Sequence, residues 1–239
     1  PEYSNNLSLI SGDLRDQELL NRIFFDAENT GNRIDAVIHL AGLKAVAESI
    51  RDPLGYWDSN LCGALSLLKV MEAYNCMKLI FSSTATIYGS TKDQLIKEDS
   101  EIRPINPYGN TKAAVEQLLN DLFQSNPDKW CIANLRYFNP IGAHESGLIG
   151  EDPLGIPNNI FPLINRVAAR QIDEFKIYGN NWDTPDGTPI RDYIHVMDLS
   201  EGHVNSLEYL LENKPQLINL NLGTAKGTSV LELINAFEK

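Results

Sequence analysis

The chain reads as an α/β protein: a parallel sheet wound with helices on both faces, followed by a smaller region of loops and short elements. Three observations predict this. Short apolar runs alternate with helix-period stretches across the first 139 residues, which is the pattern of successive βαβ units. The polar and small residues that carry chemistry fall at the ends of those runs, where open sheets of this kind bind ligands. After Asn139 the composition shifts to Gly and Pro.

The elements follow in order. Leu7–Ile10 reads as a short strand, with Pro1 to Asn6 as its lead-in. Gln17–Ala27 places apolar residues at helical spacing. Ile34–Leu40 is strand-like and stops at Ala41-Gly42. Pro53 opens a helical pattern that runs to Tyr74, since a proline at the first helical position gives up an N–H that has no partner anyway. Leu79-Ile80-Phe81 is a buried strand that runs into the hydroxyls of Ser82, Ser83 and Thr84. Pro107 opens a second long helix, to Phe123, and Cys131–Phe138 is another strand. Residues 140–158 read as a long loop, a type that in compact domains is functional or disordered. Beyond it come a helix at Asn159–Ala169, a strand at Phe175–Tyr178, a polar loop to Thr188 and an extended run at Arg191–Val196. A helix at Met197–Leu211, a strand at Leu217–Leu222 stopped by Gly223, and a final helix from Thr228 and Ser229 complete the chain.

The 239 residues, 43% of them hydrophobic, suffice for one large domain or one and a half. A net charge of −12 and a pI of about 4.7 argue against nucleic acid or an anionic membrane as a general partner. They leave room for an anionic small ligand held by local cations and helix N-termini. Cys62, Cys76 and Cys131 have no CxxC spacing and cannot all pair, so they read as small buried hydrophobes in a reducing compartment. No apolar run reaches membrane-spanning length and the N-terminus is no signal peptide, so a cytoplasmic location is expected. His144, His195 and His203 show no metal-ligand spacing, and no HExxH or His/Cys cluster exists, so no metal is expected. The chain opens at Pro1 without a Met and stops at Lys239 inside an amphipathic helix, so a fragment lacking both ends is expected.

The strand ends supply Asp13, Ala41-Gly42, Ser83-Thr84 and Phe138-Asn139. Beside them stand Tyr108 and Lys112, four residues apart and therefore on one face of a helix. A nearby ammonium favours the phenolate and is expected to lower the phenol's pKa from its usual value near 10. Such a tyrosine is a general base usable near neutral pH, and a strand-end hydroxyl completes a device for moving a proton on and off an alcohol. A Tyr-x-x-x-Lys spacing alone is common; its position after a hydroxyl-ending strand is what gives it weight. His39 ends a strand and reads as a packed core histidine, and Glu151-Asp152 as loop-shaping residues.

With these residues in hand, the chain resembles the extended short-chain dehydrogenase/reductase group, and within it the UDP-glucose 4-epimerase family. The matching stretches are His39 to Val46 (HLAGLKAV), Phe81 to Gly89 (FSSTATIYG), Tyr108 to Lys112, Leu135 to Ala143 (LRYFNPIGA), Gly150 to Ile160 (GEDPLGIPNNI) and Arg191 to Leu199 (RDYIHVMDL). The Tyr/Lys pair marks only the broad group; the other stretches are narrower. The resemblance implies a Rossmann-type doubly wound sheet over residues 1–139, binding NAD. It implies a UDP-sugar-binding region over 140–239, of which 191–223 returns to the sheet. It also implies roles. Tyr108, Lys112 and Thr84 match the catalytic group. Asp13, Leu14, Ala41, Gly42, Leu43, Lys44, Asn60 and Phe138 match cofactor positions, together with Thr84, Tyr108 and Lys112. Asn139, Asn159, Ile160, Lys176, Ile177, Tyr178 and Arg191 match the UDP-sugar site, which Thr84 and Tyr108 also face. The reaction implied is inversion at C4 of a UDP-hexose through a 4-keto sugar. A homodimer is implied as well, with the helices at Pro53–Tyr74 and Pro107–Phe123 at its interface.

Three departures accompany the resemblance. Thr84 stands where the family has serine, which keeps the hydroxyl and adds a methyl. Ser59 stands where asparagine is common, although Asn60 is retained. The family's first strand with its glycine-rich phosphate loop, and its C-terminal closing segment, have no counterpart in these 239 residues. Several alternatives stay open at this point. Lys44 either nears the cofactor or solvates a helix start, and Arg191 either grips the diphosphate or pairs with Asp192 or Glu201. The protein is an epimerase, another nucleotide-sugar enzyme such as a 4,6-dehydratase, or a dinucleotide-binding sensor without catalysis. A 4,6-dehydratase would want an acid/base carboxylate pair after the strand-end hydroxyl, where this chain has Ala85-Thr86. The 239-residue piece alone, short of half a cofactor cradle, is expected to be inactive.

Overall fold

The computed structural model describes residues 7–90, 95–153, 157 and 159–238. Pro1 to Asn6, the middle of the Gly150–Ile160 stretch and Lys239 lie outside the described residues. The strands, in chain order, are β1 (Val37–His39), β2 (Lys78–Thr84), β3 (Cys131–Tyr137), β4 (Asn139–Ile141), β5 (Ile190–His195), β6 (Gln216–Leu222) and β7 (Gly227–Ser229). The helices are α1 (Gln17–Asn29), α2 (Val46–Arg51), α3 (Pro53–Trp57), α4 (Gly63–Ala73), α5 (Pro107–Ser125), α6 (Ile160–Ala168), α7 (Val196–Glu212) and α8 (Val230–Phe237).

The main sheet has the order β1-β2-β3-β6, and every pair in it is parallel. Alternate residues of a strand face opposite sides, and the core divides accordingly. Leu79, Phe81 and Ile132 join Leu20 and Phe24 of α1, Leu67 and Met71 of α4, and Val115 and Leu119 of α5 in one apolar layer. Ile80, Cys131, Ala133 and Leu135 face the other way, onto Leu207 and Leu210 of α7. This is the doubly wound arrangement predicted above. A second, small sheet joins β4 to β5 in parallel and β5 to β7 antiparallel. Thus α7 and β6 lie with the main sheet, and β5 with the small one.

Several expectations need correction. Leu7–Ile10 is not a strand: it pairs with none of the described strands, and Leu7 and Leu9 are exposed. An apolar run becomes a strand only when a neighbour takes its backbone hydrogen bonds. The same reason removes the strand at Phe175–Tyr178, which runs irregularly across the surface. The strand expected over Ile34–Leu40 narrows to Val37–His39, the part that pairs with Leu79–Phe81. The long helix from Pro53 is interrupted by a π-helical turn at Asp58–Cys62. The loop expected from residue 140 instead begins in β4.

Candidate active site

The carboxyl ends of β1, β2 and β3 and the first turns of α5 meet at one place. The local sequence sets the start of α5: the Asn106 side chain accepts from the Gly109 N–H at 2.8 Å, and Pro107 fills the first helical position. Tyr108 and Lys112 then lie one turn apart on the face turned to the sheet. Lys112 is buried, 5% exposed; its Nζ donates to the Ser82 carbonyl at 2.8 Å and stands 4.8 Å from the centre of the Phe81 ring. Burial lowers its pKa to about 8, so it remains a cation at neutral pH. The same burial, with Lys112 close by, holds His39 down at about 4 and hence neutral. That histidine packs against Phe81, as a core residue does.

The expected lowering of the Tyr108 pKa is not found. Burial pushes the phenol's pKa up, and the opposing influence is a hydrogen bond with the Thr84 side chain. The Lys112 ammonium is directed at the Ser82 carbonyl and does not counter the burial of the phenol. Thr84, 7% exposed, also bonds to Thr86, whose N–H it accepts at 3.1 Å.

Gly42 and Asn60 meet just beyond the end of β1. A Cβ on Gly42, whose φ is +152°, would stand 3.0 Å from Asn60 Oδ1 and 3.6 Å from Lys112 Nζ, so the β1 end and the lysine are close neighbours. Asn60 is buried in the π-turn, which aims its amide across the structure. Its Oδ1 accepts from the Leu43 N–H at 2.8 Å, and its Nδ2 donates to the Leu43 carbonyl and to Thr111 Oγ1, both at 3.0 Å. Thr111 in turn bonds the Tyr108 carbonyl at 2.8 Å. Asn60 therefore ties the Ala41–Lys44 loop to the first turn of α5. Ala41 and Lys44 are exposed beside it. Asp13 is exposed and held ionised well below the usual carboxylate range by Arg15, which hydrogen-bonds it and also bridges to Asp58. Leu14 packs toward Gly63 at the start of α4.

The residues matched to the sugar site lie on the second region. Phe138 follows β3, its N–H bonded to the Leu222 carbonyl at 3.1 Å, and packs beside Gly223 and Asp192. Asn139 opens β4 opposite Tyr193. Arg191 donates to the Ile190 carbonyl at 2.8 Å. Among the described residues it forms no ion pair with Asp192 or Glu201; the Asp192 carboxylate is taken by Thr224 and Ala225. Asn159 precedes Ile160 at the start of α6 and bonds to Glu151. Lys176 pairs with Glu174 at 3.0 Å on the surface; Ile177 and Tyr178 are exposed. Among the described residues, no hydrogen bond or ion pair carries these three to the Tyr108 group.

Sequence reasoning missed a buried polar network behind the site. Glu116, four residues beyond Lys112, accepts from Ser83 Oγ at 2.5 Å and receives Arg136 at 2.7 and 3.1 Å. The available signals were an acidic residue on the buried face of an amphipathic helix and an arginine inside an apolar strand. His203 meets the Leu199 carbonyl of its own helix and, with its other ring nitrogen, the Tyr137 hydroxyl, whose pKa burial pushes up to about 12.

This geometry can be compared with known proteins. The model of the family described as GDP-mannose 4,6 dehydratase matches residues 1–221. UDP-glucose 4-epimerase 4 of Oryza sativa subsp. japonica is 50% identical over 238 residues, which cover all of this chain and 63% of that protein. The bifunctional UDP-glucose 4-epimerase and UDP-xylose 4-epimerase 3 of Arabidopsis thaliana is 47% identical over 240 residues, covering 67% of its length. Among solved structures, UDP-glucose 4-epimerase from Bifidobacterium longum in complex with NAD+ and UDP superposes with a TM-score of 0.88 at 50% identity, covering 96% of this chain and 66% of that one. The enzyme from Stenotrophomonas maltophila with bound NAD and formylated UDP-arabinopyranose gives 0.90 at 45% identity, with the same coverage. The chain thus spans a little under two thirds of the length of the rice relative.

Proposed function

Because this chain belongs to the UDP-glucose 4-epimerase family of NAD-dependent epimerases and dehydratases, we propose that the whole protein inverts C4 of a UDP-hexose, interconverting UDP-galactose and UDP-glucose. The observation that carries this reading is the meeting of Tyr108, Thr84, Lys112 and Gly42 at the strand ends. NAD fits the residues present: Gly42 itself carries no side chain at the end of β1, a buried cation stands beside it, and Asp13 is kept ionised just ahead of α1. Asp13, Leu14, Ala41, Gly42, Leu43, Lys44, Phe138 and Lys112 would hold it, with Asn60 fixing the loop that carries Leu43 and Lys44. When bound, NAD supplies the acceptance and return of hydride at C4.

The chain's own residues then do the following. Tyr108, as phenolate, takes the C4 hydroxyl proton directly or through the Thr84 hydroxyl, and later returns it. The Lys112 ammonium is held by the Ser82 carbonyl; its charge, with the positive charge that bound NAD would add, would offset the burial that raises the phenol's pKa. Asn139, Asn159, Ile160, Arg191 and the run Lys176 to Tyr178 hold the UDP-sugar, with the Arg191 guanidinium forking onto diphosphate oxygens. In this reading residues 1–139 bind the dinucleotide and 140–239 the sugar nucleotide, with α7 and β6 of the second region returning to the main sheet and β5 staying in the small one.

A 4,6-dehydratase is disfavoured because Ala85 and Thr86, not carboxylates, follow Thr84, and the Thr86 hydroxyl is bonded to that of Thr84 at 3.0 Å. The same reading takes the protein as a cytoplasmic homodimer. Among the described residues no helix is long and apolar enough to cross a membrane. The exposed Leu54 and Leu65 on the α3–α4 helix offer apolar surface to a second copy. The decisive experiment incubates the whole protein with UDP-galactose and follows UDP-glucose without added reductant. Conversion with no net change in NAD+ is expected; net consumption of NAD+ would mean a dehydrogenase instead.

A further inference from the structure

We propose that Glu116 and Ser83 are positioning residues that set the height of α5 above β2, and with it the placement of the Tyr108 phenol and the Lys112 ammonium at the strand ends. The inference rests on the reading of Tyr108 as the base and adds residues that touch neither substrate nor cofactor.

The argument starts from spacing. Tyr108, Lys112 and Glu116 stand at four-residue intervals and so form one row along the helix. Three consecutive residues of β2 meet that row. The Thr84 side chain stands by the Tyr108 phenol and favours its ionised form, the Ser82 carbonyl accepts from Lys112 Nζ at 2.8 Å, and Ser83 Oγ donates to Glu116 Oε1 at 2.5 Å. A slide of α5 by one residue, about 1.5 Å, would break all three together.

Of the three rungs, only the Glu116 rung is clamped from a second strand. Ser83 and Arg136 are register partners across β2 and β3, and both reach the same carboxylate. The guanidinium meets it with two nitrogens, Nε to Oε1 at 3.1 Å and Nη2 to Oε2 at 2.7 Å. Arg136 is itself fixed, since Nη1 donates to the Tyr88 hydroxyl and to the Glu98 carbonyl, both at 2.8 Å. The Tyr88 hydroxyl then donates to Asn221 Oδ1 of β6 at 2.7 Å. One carboxylate therefore refers the helix to three strands at once. Apolar packing, which holds α4, is non-directional and tolerates small slides. A fully bonded carboxylate permits one height only.

The test uses the whole, NAD-loaded protein. Ser83→Ala removes one rung and leaves the Arg136–Glu116 pair in place, so the fold is kept. The expected result is a kcat for UDP-galactose lower by roughly 10- to 100-fold, the cost of a small misplacement, with KM and melting temperature little changed. The acidic limb of the pH–kcat profile should move to higher pH, and Ser83→Thr, which restores the hydroxyl, should recover the activity. A purely structural role predicts the reverse: a lower melting temperature with kcat and the pH limb at wild-type values, and that result would overturn the proposal. The double variant Glu116→Gln/Arg136→Met removes both charges, so no buried charge is left unpaired; wild-type kcat in that variant would also overturn it. Titration of Tyr108 by tyrosinate absorbance, taken as the difference from Tyr108→Phe, needs no turnover. If the protein fails to epimerise at all, the functional reading falls. The Tyr108 titration still decides positioning: a shift on Ser83→Ala supports it, and its absence sinks it.

Discussion

Two ion pairs, one in each region, differ in kind. Behind the strand ends, Arg136 and Glu116 meet with side chains only 2% and 6% exposed. In the second region, Lys176 and Glu174 meet at 65% and 67% exposure. The first pair is joined by Ser83, Tyr88 and a backbone carbonyl, so every polar atom has a place to go. The second is a surface pair of a kind worth about 0–1 kcal/mol. The contrast matches the tasks proposed for the two regions. A proton-transfer group must already be in place when the substrate arrives, so burial and fixed hydrogen bonds serve it. Groups that grip a nucleotide sugar can stay in water until it comes, and Tyr178, proposed for that task, is 85% exposed.

The largest expected effect removes the reacting atom from the buried region. Tyr108→Phe keeps the ring and deletes the phenol. It should lower kcat by about 10²- to 10⁴-fold, the usual worth of a positioned acid or base, while bound NAD stays stoichiometric by absorbance. Near-normal turnover would break the assignment of the base. Lys112→Met acts on the same group from the outside. Burial already pushes the Tyr108 pKa up, and removing a nearby cation can only push it further. Activity should therefore set in at higher pH, and an unchanged pH–rate profile would count against the lysine.

Next in size is the ion pair itself. Arg136→Met leaves the Glu116 carboxylate buried without its guanidinium, and breaking such a pair costs about 3–5 kcal/mol. Chemical denaturation should show that loss as a lower midpoint. A stability within about 0.5 kcal/mol of wild type would mean that Glu116 reaches water after all, and the contrast between the two regions would collapse.

What the sequence made legible follows from how local each signal was. Tyr108 and Lys112 were readable because four residues on a helix make one face, and the hydroxyls of Ser83 and Thr84 because they end a strongly apolar strand. The two faces of the sheet followed from the alternation of Leu79, Ile80 and Phe81. Leu7–Ile10 and Phe175–Tyr178 were misread because strandness depends on a partner, which no local pattern encodes. Asn60 gave no hint of its clamp, since its direction depends on one extra residue in the π-turn at Asp58–Cys62. Glu116 and Arg136 are 20 residues apart, and their meeting depends on the register between Ser83 and Arg136. A register between parallel strands separated by a helix is a tertiary fact.

The smallest expected effect belongs to the exposed region and tests whether it recognises without reacting. Arg191 is exposed, forms no ion pair among the described residues, and donates to its neighbour's carbonyl at 2.8 Å. Little of the fold depends on its guanidinium, so Arg191→Ala should leave the melting temperature and the NAD content as they are. If the guanidinium holds the diphosphate, one or two hydrogen bonds to a charged group are lost, about 1.5–3 kcal/mol. That corresponds to a KM for UDP-galactose raised roughly 10- to 100-fold, with kcat near wild type because the loss falls equally on ground and transition states. Arg191→Lys should lie between the two, since an ammonium keeps the charge and loses the fork. A fall in kcat at unchanged KM would place Arg191 with the buried group around Tyr108 and erase the division of labour between the regions.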